Sequence, residues 1–164
     1  MSFFKSKNAG LANTAEPIIT VSAETLASVS GRVKLESQIV EYEADPTSNQ
    51  IALVTRANTQ DYSHRSKKGL VLVFDKNIKS DTYSVTDPDF PFYDAYYFEM
   101  GTIPGFTTSS TYTAKSGTFT VEVIDATSEK LHYQIGFDFK GVNERNQELK
   151  IAGKSTYIVL LQPR

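Results

Sequence analysis

The last third of the chain alternates apolar and polar residues with a period of two. The alternating stretches cover residues 118–123, 131–140 and 149–161. Successive side chains of a β-strand point to opposite faces of the sheet, so this period predicts half-buried strands. Short polar turns separate the three stretches. We therefore predict an antiparallel meander in which Phe119, Tyr133, Phe137 and Tyr157 face the core.

The first two thirds show shorter β patterns between turn-forming residues. Strands are predicted over residues 18–21, 32–36, 38–43, 51–55, 70–74 and 82–86. Residues 70–74 are apolar throughout, which is typical of a strand covered on both faces. Residues 22–28 also suit one helical turn. The fold class is all-β, and we predict an antiparallel β-sandwich of about nine strands, with a small closed β-barrel as the alternative, since both bury one face of each strand.

The 164 residues fit one domain with a substantial core. We assign residues 17–164 to that domain, because no linker or repeat divides them. Residues 1–16 are small and polar apart from Phe3, Phe4 and Leu11, and they predict an N-terminal arm that is flexible or takes part in assembly. Such an arm can mediate self-association by adding a strand to the open sheet edge of a neighbouring copy.

Composition removes several classes of function. The absence of cysteine excludes disulfides, thiolate zinc sites and cysteine nucleophiles. The net charge of −2 gives no support to nucleic-acid binding, which needs a basic face. No apolar stretch suits a signal peptide or a membrane helix. We expect a soluble protein that is cytoplasmic at synthesis, with export by a non-classical route left open.

Residues 87–106, here called the aromatic segment, combine rings, carboxylates and three prolines. Prolines interrupt sheet ladders, so we predict a loop. Aromatic rings on a proline-fixed loop form a contact surface at low entropy cost. The candidate binding residues are Asp87, Asp89, Phe90, Phe92, Tyr93, Asp94, Tyr96, Tyr97 and Phe98. The competing interpretation is that these rings cap the sheet and enter the core.

The remaining candidates carry little specific signal. The carboxylates at residues 87, 89 and 94 do not match the spacing of an EF-hand calcium loop. His64 and His132 lie in no zinc or triad motif. The basic cluster at residues 56–68 is typical of a charged edge that discourages aggregation. No catalytic residue, metal ligand or cofactor is predicted.

The sequence thus favours a non-enzymatic recognition or assembly module that binds a protein partner or a glycan through the aromatic segment. Two alternatives stay open. The first is a small β-barrel that binds an apolar ligand or a lipid surface. The second, with least support, is an uncharacterised hydrolase.

Overall fold

The computed structural model describes residues 18–32, 34–37, 39–58, 67–103 and 106–162. Their regular structure is all β, as predicted. The ten strands are β1 (Ile18–Val29), β2 (Leu35–Glu36), β3 (Ile39–Ala44), β4 (Gln50–Asn58), β5 (Lys67–Asp75), β6 (Asp81–Ser84), β7 (Phe92–Ile103), β8 (Phe106–Ala126), β9 (Lys130–Val142) and β10 (Glu148–Gln162). The predicted arm, residues 1–16, lies outside the described residues.

One antiparallel sheet contains all of these strands. Nine of them follow a single hydrogen-bonded path in the order β2-β1-β10-β9-β8-β7-β5-β4-β3, and β6 pairs with β8 beside that path. The sheet is curled into a half-barrel. The concave face holds the main core, so each strand buries one set of alternate side chains, as the period of two requires.

The predicted meander is confirmed. Strands β8, β9 and β10 are neighbours in the sheet, and β9 pairs with β10 over its whole length. The side chains of Phe119, Tyr133, Phe137 and Tyr157 are all buried in the main core. Alternation alone was sufficient to orient these strands because each has one face against the core and the other against solvent.

The helical turn predicted over residues 22–28 is wrong. These residues belong to β1, which pairs with β10 from Ile18 to Val29 without interruption. The local preference of alanine, glutamate and leucine for helix is a few tenths of a kcal/mol per residue. A continuous ladder against a central strand outweighs that preference, as tertiary context often does.

Strands β4 and β5 bury both of their faces, as the apolar run at residues 70–74 predicted. Leu53 and Leu72 enter the main core, whereas Val54 and Val71 lie in a second cluster on the convex face. Tyr96 and Phe98 of β7 pack against this second cluster. These two rings therefore cover the aliphatic side chains that a single sheet layer would otherwise expose.

The ring of Phe98 lies directly over Gly69. A Cβ atom built on Gly69 would stand 2.7 Å from the Phe98 ring and 2.5 Å from the backbone oxygen of Thr55. Glycine at this position allows the ring to lie flat across the strand, and the ring in turn covers the glycine backbone.

The end of the sheet that carries β1 and β2 curls back towards β4, where three hydroxyl groups meet. Thr25 Oγ1 of β1 lies 2.7 Å from Thr55 Oγ1 of β4 and 2.6 Å from Ser155 Oγ of β10, and all three residues are fully buried. We call this hydrogen-bonded group the seam. The buried hydroxyl of Tyr157 is close to the seam but meets hydrogen-bond geometry with none of the described residues.

The Gly69→Ala substitution should destabilise the fold by about 1–3 kcal/mol, because the new methyl group overlaps the Phe98 ring and a backbone oxygen. Gly136→Ala is the matched control in another strand. The nearest atom to a Cβ at Gly136 is 4.0 Å away, so we expect almost no loss. Chemical denaturation of both variants measures the difference, and equal stabilities would contradict the packing described for Phe98.

The seam predicts different results for two conservative substitutions. Thr25→Val removes the hydroxyl that bridges Thr55 and Ser155 and leaves their buried oxygens without that partner, which should cost about 1–3 kcal/mol. Tyr157→Phe removes a buried hydroxyl that is close to the seam but meets hydrogen-bond geometry with none of the described residues, so stability should change little. Denaturation midpoints of the two variants measure these changes in stability. A larger loss for Tyr157→Phe than for Thr25→Val would contradict the hydrogen bonding described for the seam.

Candidate functional site

The aromatic segment interrupts what would otherwise be one long strand. Residues Thr118–Val121 of β8 pair with β6, and Phe106–Thr113 pair with β7 on the same side of β8. Between Ser84 and Tyr96 the chain does not pair with β8, and the pairing begins again at Tyr96. The loop predicted over residues 87–106 is therefore wrong for Phe92–Ile103, which form β7. Pairing with β5 and β8 explains why the proline at position 104 does not prevent a strand before it.

The turn before β7 is held by its own backbone and by one carboxylate. The backbone nitrogen of Asp87 donates to the oxygen of Ser84 at 3.1 Å, and that of Phe90 donates to the oxygen of Asp87 at 3.0 Å. The nitrogen of Asp89 donates to Asp87 Oδ1 at 3.0 Å. This Asx turn fixes the direction of the chain and leaves Asp87 and Asp89 exposed.

Three of the candidate rings belong to the core. Phe92 and Tyr97 are buried on the concave side of the sheet, and Phe90 packs partly buried against them. The ring centroid of Phe92 lies 4.9 Å from that of Phe119 and 5.3 Å from that of Phe90. The turn thus folds its rings inward over Phe119, and these rings stabilise the fold rather than offer a surface.

Tyr93 is directed outward by a β-bulge. Val73 of β5 pairs with Asp94, and the next residue, Phe74, pairs with Phe92, so Tyr93 is the extra residue of β7. A bulge changes the direction of the side chain it carries, and bulges are common beside functional sites. The Tyr93 side chain is 58% exposed, the highest value among the large apolar residues of the described chain, and Asp94 beside it is also exposed.

The last two candidates, Tyr96 and Phe98, lie half-buried on the convex face over the second cluster. Burial, together with the nearby charge of Asp94, raises the pKa of the Tyr96 phenol. Partial burial also raises the pKa of Asp94. The Tyr96 ring thus packs on the aliphatic side chains of β5 and lies near the exposed Asp94.

The basic cluster predicted at residues 56–68 is not one solvated patch. Arg56 forms an ion pair with Glu41 of β3. Lys68 is 8% exposed, and its Nζ donates to the backbone oxygen of Lys34 at 3.0 Å. Burial lowers the pKa of Lys68. His64 and Arg65 lie outside the described residues, so the remainder of that prediction stays a prediction.

His132 is the one histidine among the described residues, and it takes part in no recognisable site. His132 is half-buried on the polar face of β9, in register with Asp125 of β8 and Ile158 of β10. In the described part of the chain no three histidine, aspartate or glutamate side chains come together as a metal site would require. The same residues contain no helix of the length and apolarity needed to cross a membrane.

Comparison with known proteins identifies no relative. No family model, no curated protein and no solved structure matches the chain.

One feature of the surface was not anticipated from the sequence. The first half of β1 lies at the sheet edge, with Ile18 and Ile19 exposed, and the neighbouring Leu160 of β10 is exposed as well. The apolar run at residues 18–21 predicted a strand but not its place in the sheet. The strand order is what shows that this run is hydrogen-bonded to a neighbouring strand on one side only.

Buried tyrosines predict a loss of stability at high pH. Burial raises the pKa of Tyr97, Tyr133 and Tyr157 in the folded chain above the ordinary value of 10.0. Above about pH 10 the unfolded chain releases phenol protons that the folded chain retains, so the free energy of unfolding must fall as pH rises.

Urea denaturation between about pH 8 and about pH 11 measures this decline. The Tyr133→Phe variant is the control, because it lacks one of the three phenols and should lose stability less steeply over that range. A stability that stays constant through pH 11, or a Tyr133→Phe variant with the same slope, would contradict the assignment.

Proposed function

We propose that this protein is a non-enzymatic recognition module that binds a glycan or a protein partner through an acidic, aromatic patch. The patch consists of Asp87, Asp89, Tyr93 and Asp94. The observation that carries the proposal is the β-bulge that directs the Tyr93 ring into solvent, 58% exposed, beside a carboxylate. The other rings whose burial the structure describes are buried or half-buried, and they stabilise the fold. The exposed Tyr93 ring adds little to that stability, so a contact with a partner is the use that we assign to it.

The chemistry of the patch suits a partner with hydroxyl or cationic groups. An aromatic ring can stack on the apolar face of a sugar or pack against an aliphatic stem, while carboxylates accept hydrogen bonds from hydroxyl groups or pair with lysine and arginine. Tyrosine is frequent among the residues that dominate protein interfaces. Net negative charge in the patch disfavours acidic partners.

The proposed patch is smaller than the set of candidates expected from sequence. Phe90, Phe92 and Tyr97 serve the core, and Tyr96 and Phe98 cover the second cluster. Their contribution to binding is indirect: the packed rings fix the backbone that presents Tyr93. A rigid platform reduces the entropy lost when a partner binds.

We favour a barrel-like over a sandwich arrangement for this module, because nine strands follow one path and the seam joins β1 to β4. A small barrel that holds an apolar ligand has less support. Its interior would have to contain space, whereas Phe74, Phe92, Phe119, Phe137 and Phe139 fill the concave side with ring centroids 4.9–6.1 Å from their neighbours.

The test compares two neighbouring rings. Tyr93→Ala should change the free energy of unfolding by less than about 0.5 kcal/mol and abolish binding to the proposed partner. Phe92→Ala should cost about 3–5 kcal/mol because it empties a core position. Chemical denaturation measures the free energy of unfolding of both variants. Binding is measured on a panel of immobilised neutral oligosaccharides and on a lysine-rich peptide.

The control is Asp94→Asn, which keeps the size of the side chain and removes the charge. It should weaken binding to the lysine-rich peptide more than binding to a sugar. The proposal fails if the wild-type chain binds neither probe, or if Tyr93→Ala binds as well as the wild type does.

A further inference from the structure

We propose that two copies of this chain associate by antiparallel pairing of their β1 strands over Ile18–Glu24. This pairing would join two half-barrels into one continuous sheet across a two-fold axis. It involves a surface separate from the acidic, aromatic patch and does not depend on that patch.

The first half of β1 offers an open edge. On one side, β1 pairs with β10 along all of its residues. On the other side, β2 pairs with it only at Leu26 and Ala27. Within the described chain, no strand is hydrogen-bonded to the outer side of Ile18–Glu24, although β3 comes close to β1. An edge of this kind is a template for a further strand.

The direction of the backbone groups follows from Thr25. Its nitrogen donates to Ser37 Oγ at 2.8 Å, and its oxygen accepts from the nitrogen of Ser37 at 3.0 Å, so both groups point away from β10. Backbone direction alternates along a strand. The amide and carbonyl groups of Ile19, Val21 and Ala23 therefore also point outward, where a second strand would meet them.

The edge lacks the devices that normally prevent such pairing. Residues 18–23 contain no lysine, arginine, proline or acidic residue, and four of them are isoleucine, threonine or valine, which favour strands. Four of the seven exposed large apolar side chains of the described chain lie on β1 and β10, namely Ile18, Ile19, Leu26 and Leu160. The opposite edge of the sheet, β3, carries the charged residues Glu41 and Glu43, which are devices of this kind.

A second copy is the occupant that satisfies this edge best. Antiparallel strands related by a two-fold axis present the same groups to each other, so one open edge complements itself. A register centred on Val21 pairs Ile19 of one copy with Ala23 of the other and uses all three outward-facing residues. It yields about six backbone hydrogen bonds. It also places the two Glu24 side chains at opposite ends, each beside Ile18 of the other copy, so they do not repel each other.

The interface would be small, because it consists mainly of one pair of strands. Interfaces of this size belong to weak, reversible complexes. We therefore expect a dimer whose population rises with protein concentration, rather than an obligate one.

Sedimentation and light scattering of the full chain from micromolar to millimolar concentration test the proposal. The average mass should rise towards twice the single-chain value. Ile19→Lys should keep the chain monomeric over the same range. Ile124→Lys is the matched control, because Ile124 is 43% exposed on β8 and Ile19 is 46% exposed. A chain that stays monomeric throughout, or an Ile124→Lys variant that dissociates equally, overturns the proposal.

Hydrogen exchange of the unmodified chain gives a second test that needs no variant. At high concentration the amides of Ile19, Val21 and Ala23 should be protected, and dilution should remove that protection. The amides of Thr20 and Ser22, which face β10, should stay protected at both concentrations. Rapid exchange of the first three amides in the associated protein overturns the proposal. Tyr93→Ala should not alter the mass, and Ile19→Lys should not alter oligosaccharide binding, so this proposal and the preceding one fail separately.

Discussion

The two ends of the curled sheet meet at the buried contact between Thr25, Thr55 and Ser155. An antiparallel sheet of nine strands has a natural twist, but twist alone does not bring its two ends together. The seam does so at a polar point, where one hydroxyl of β1 contacts β4 and β10 at once. A hydroxyl buried without a partner would be costly, so the three groups are satisfied only while the ends remain together.

The same contact determines which part of β1 is left open. From Thr25 onwards, β1 is engaged by Ser37, β2 and the seam. Before Thr25, the strand continues along β10 beyond the reach of β2 and keeps an outward row of backbone groups. The closure of the half-barrel and the open edge are therefore two consequences of one arrangement. A sheet that closed over its full height would leave no such edge.

How much the sequence could predict differs between the two halves of the chain. Alternation was sufficient for β8, β9 and β10, where each side chain has a clear choice between core and solvent. The uniform run at Leu70–Phe74 correctly indicated a strand covered on both faces, although not that rings from β7 supply the outer cover. The helical turn predicted over residues 22–28 was wrong because no such clear pattern exists there. Their composition suits helix and strand almost equally, and the deciding factor is β10, more than a hundred residues away in the sequence.

The aromatic segment shows why the exposure of a single ring is harder to predict than a core. Phe92 and Tyr93 are adjacent and chemically similar, yet one is 6% exposed and the other 58% exposed. Alternation places the two rings on opposite faces, and the extra residue in the pairing of β5 with β7, which no local pattern encodes, decides that Phe92 is the one that faces the core. Proline and acidic residues suggested a loop, but pairing with two neighbours makes most of the segment a strand. Most rings of this segment therefore pack beneath or beside the one ring that is exposed. A functional group on a sheet requires such support, because only a backbone fixed by buried neighbours can hold an exposed side chain in a constant position.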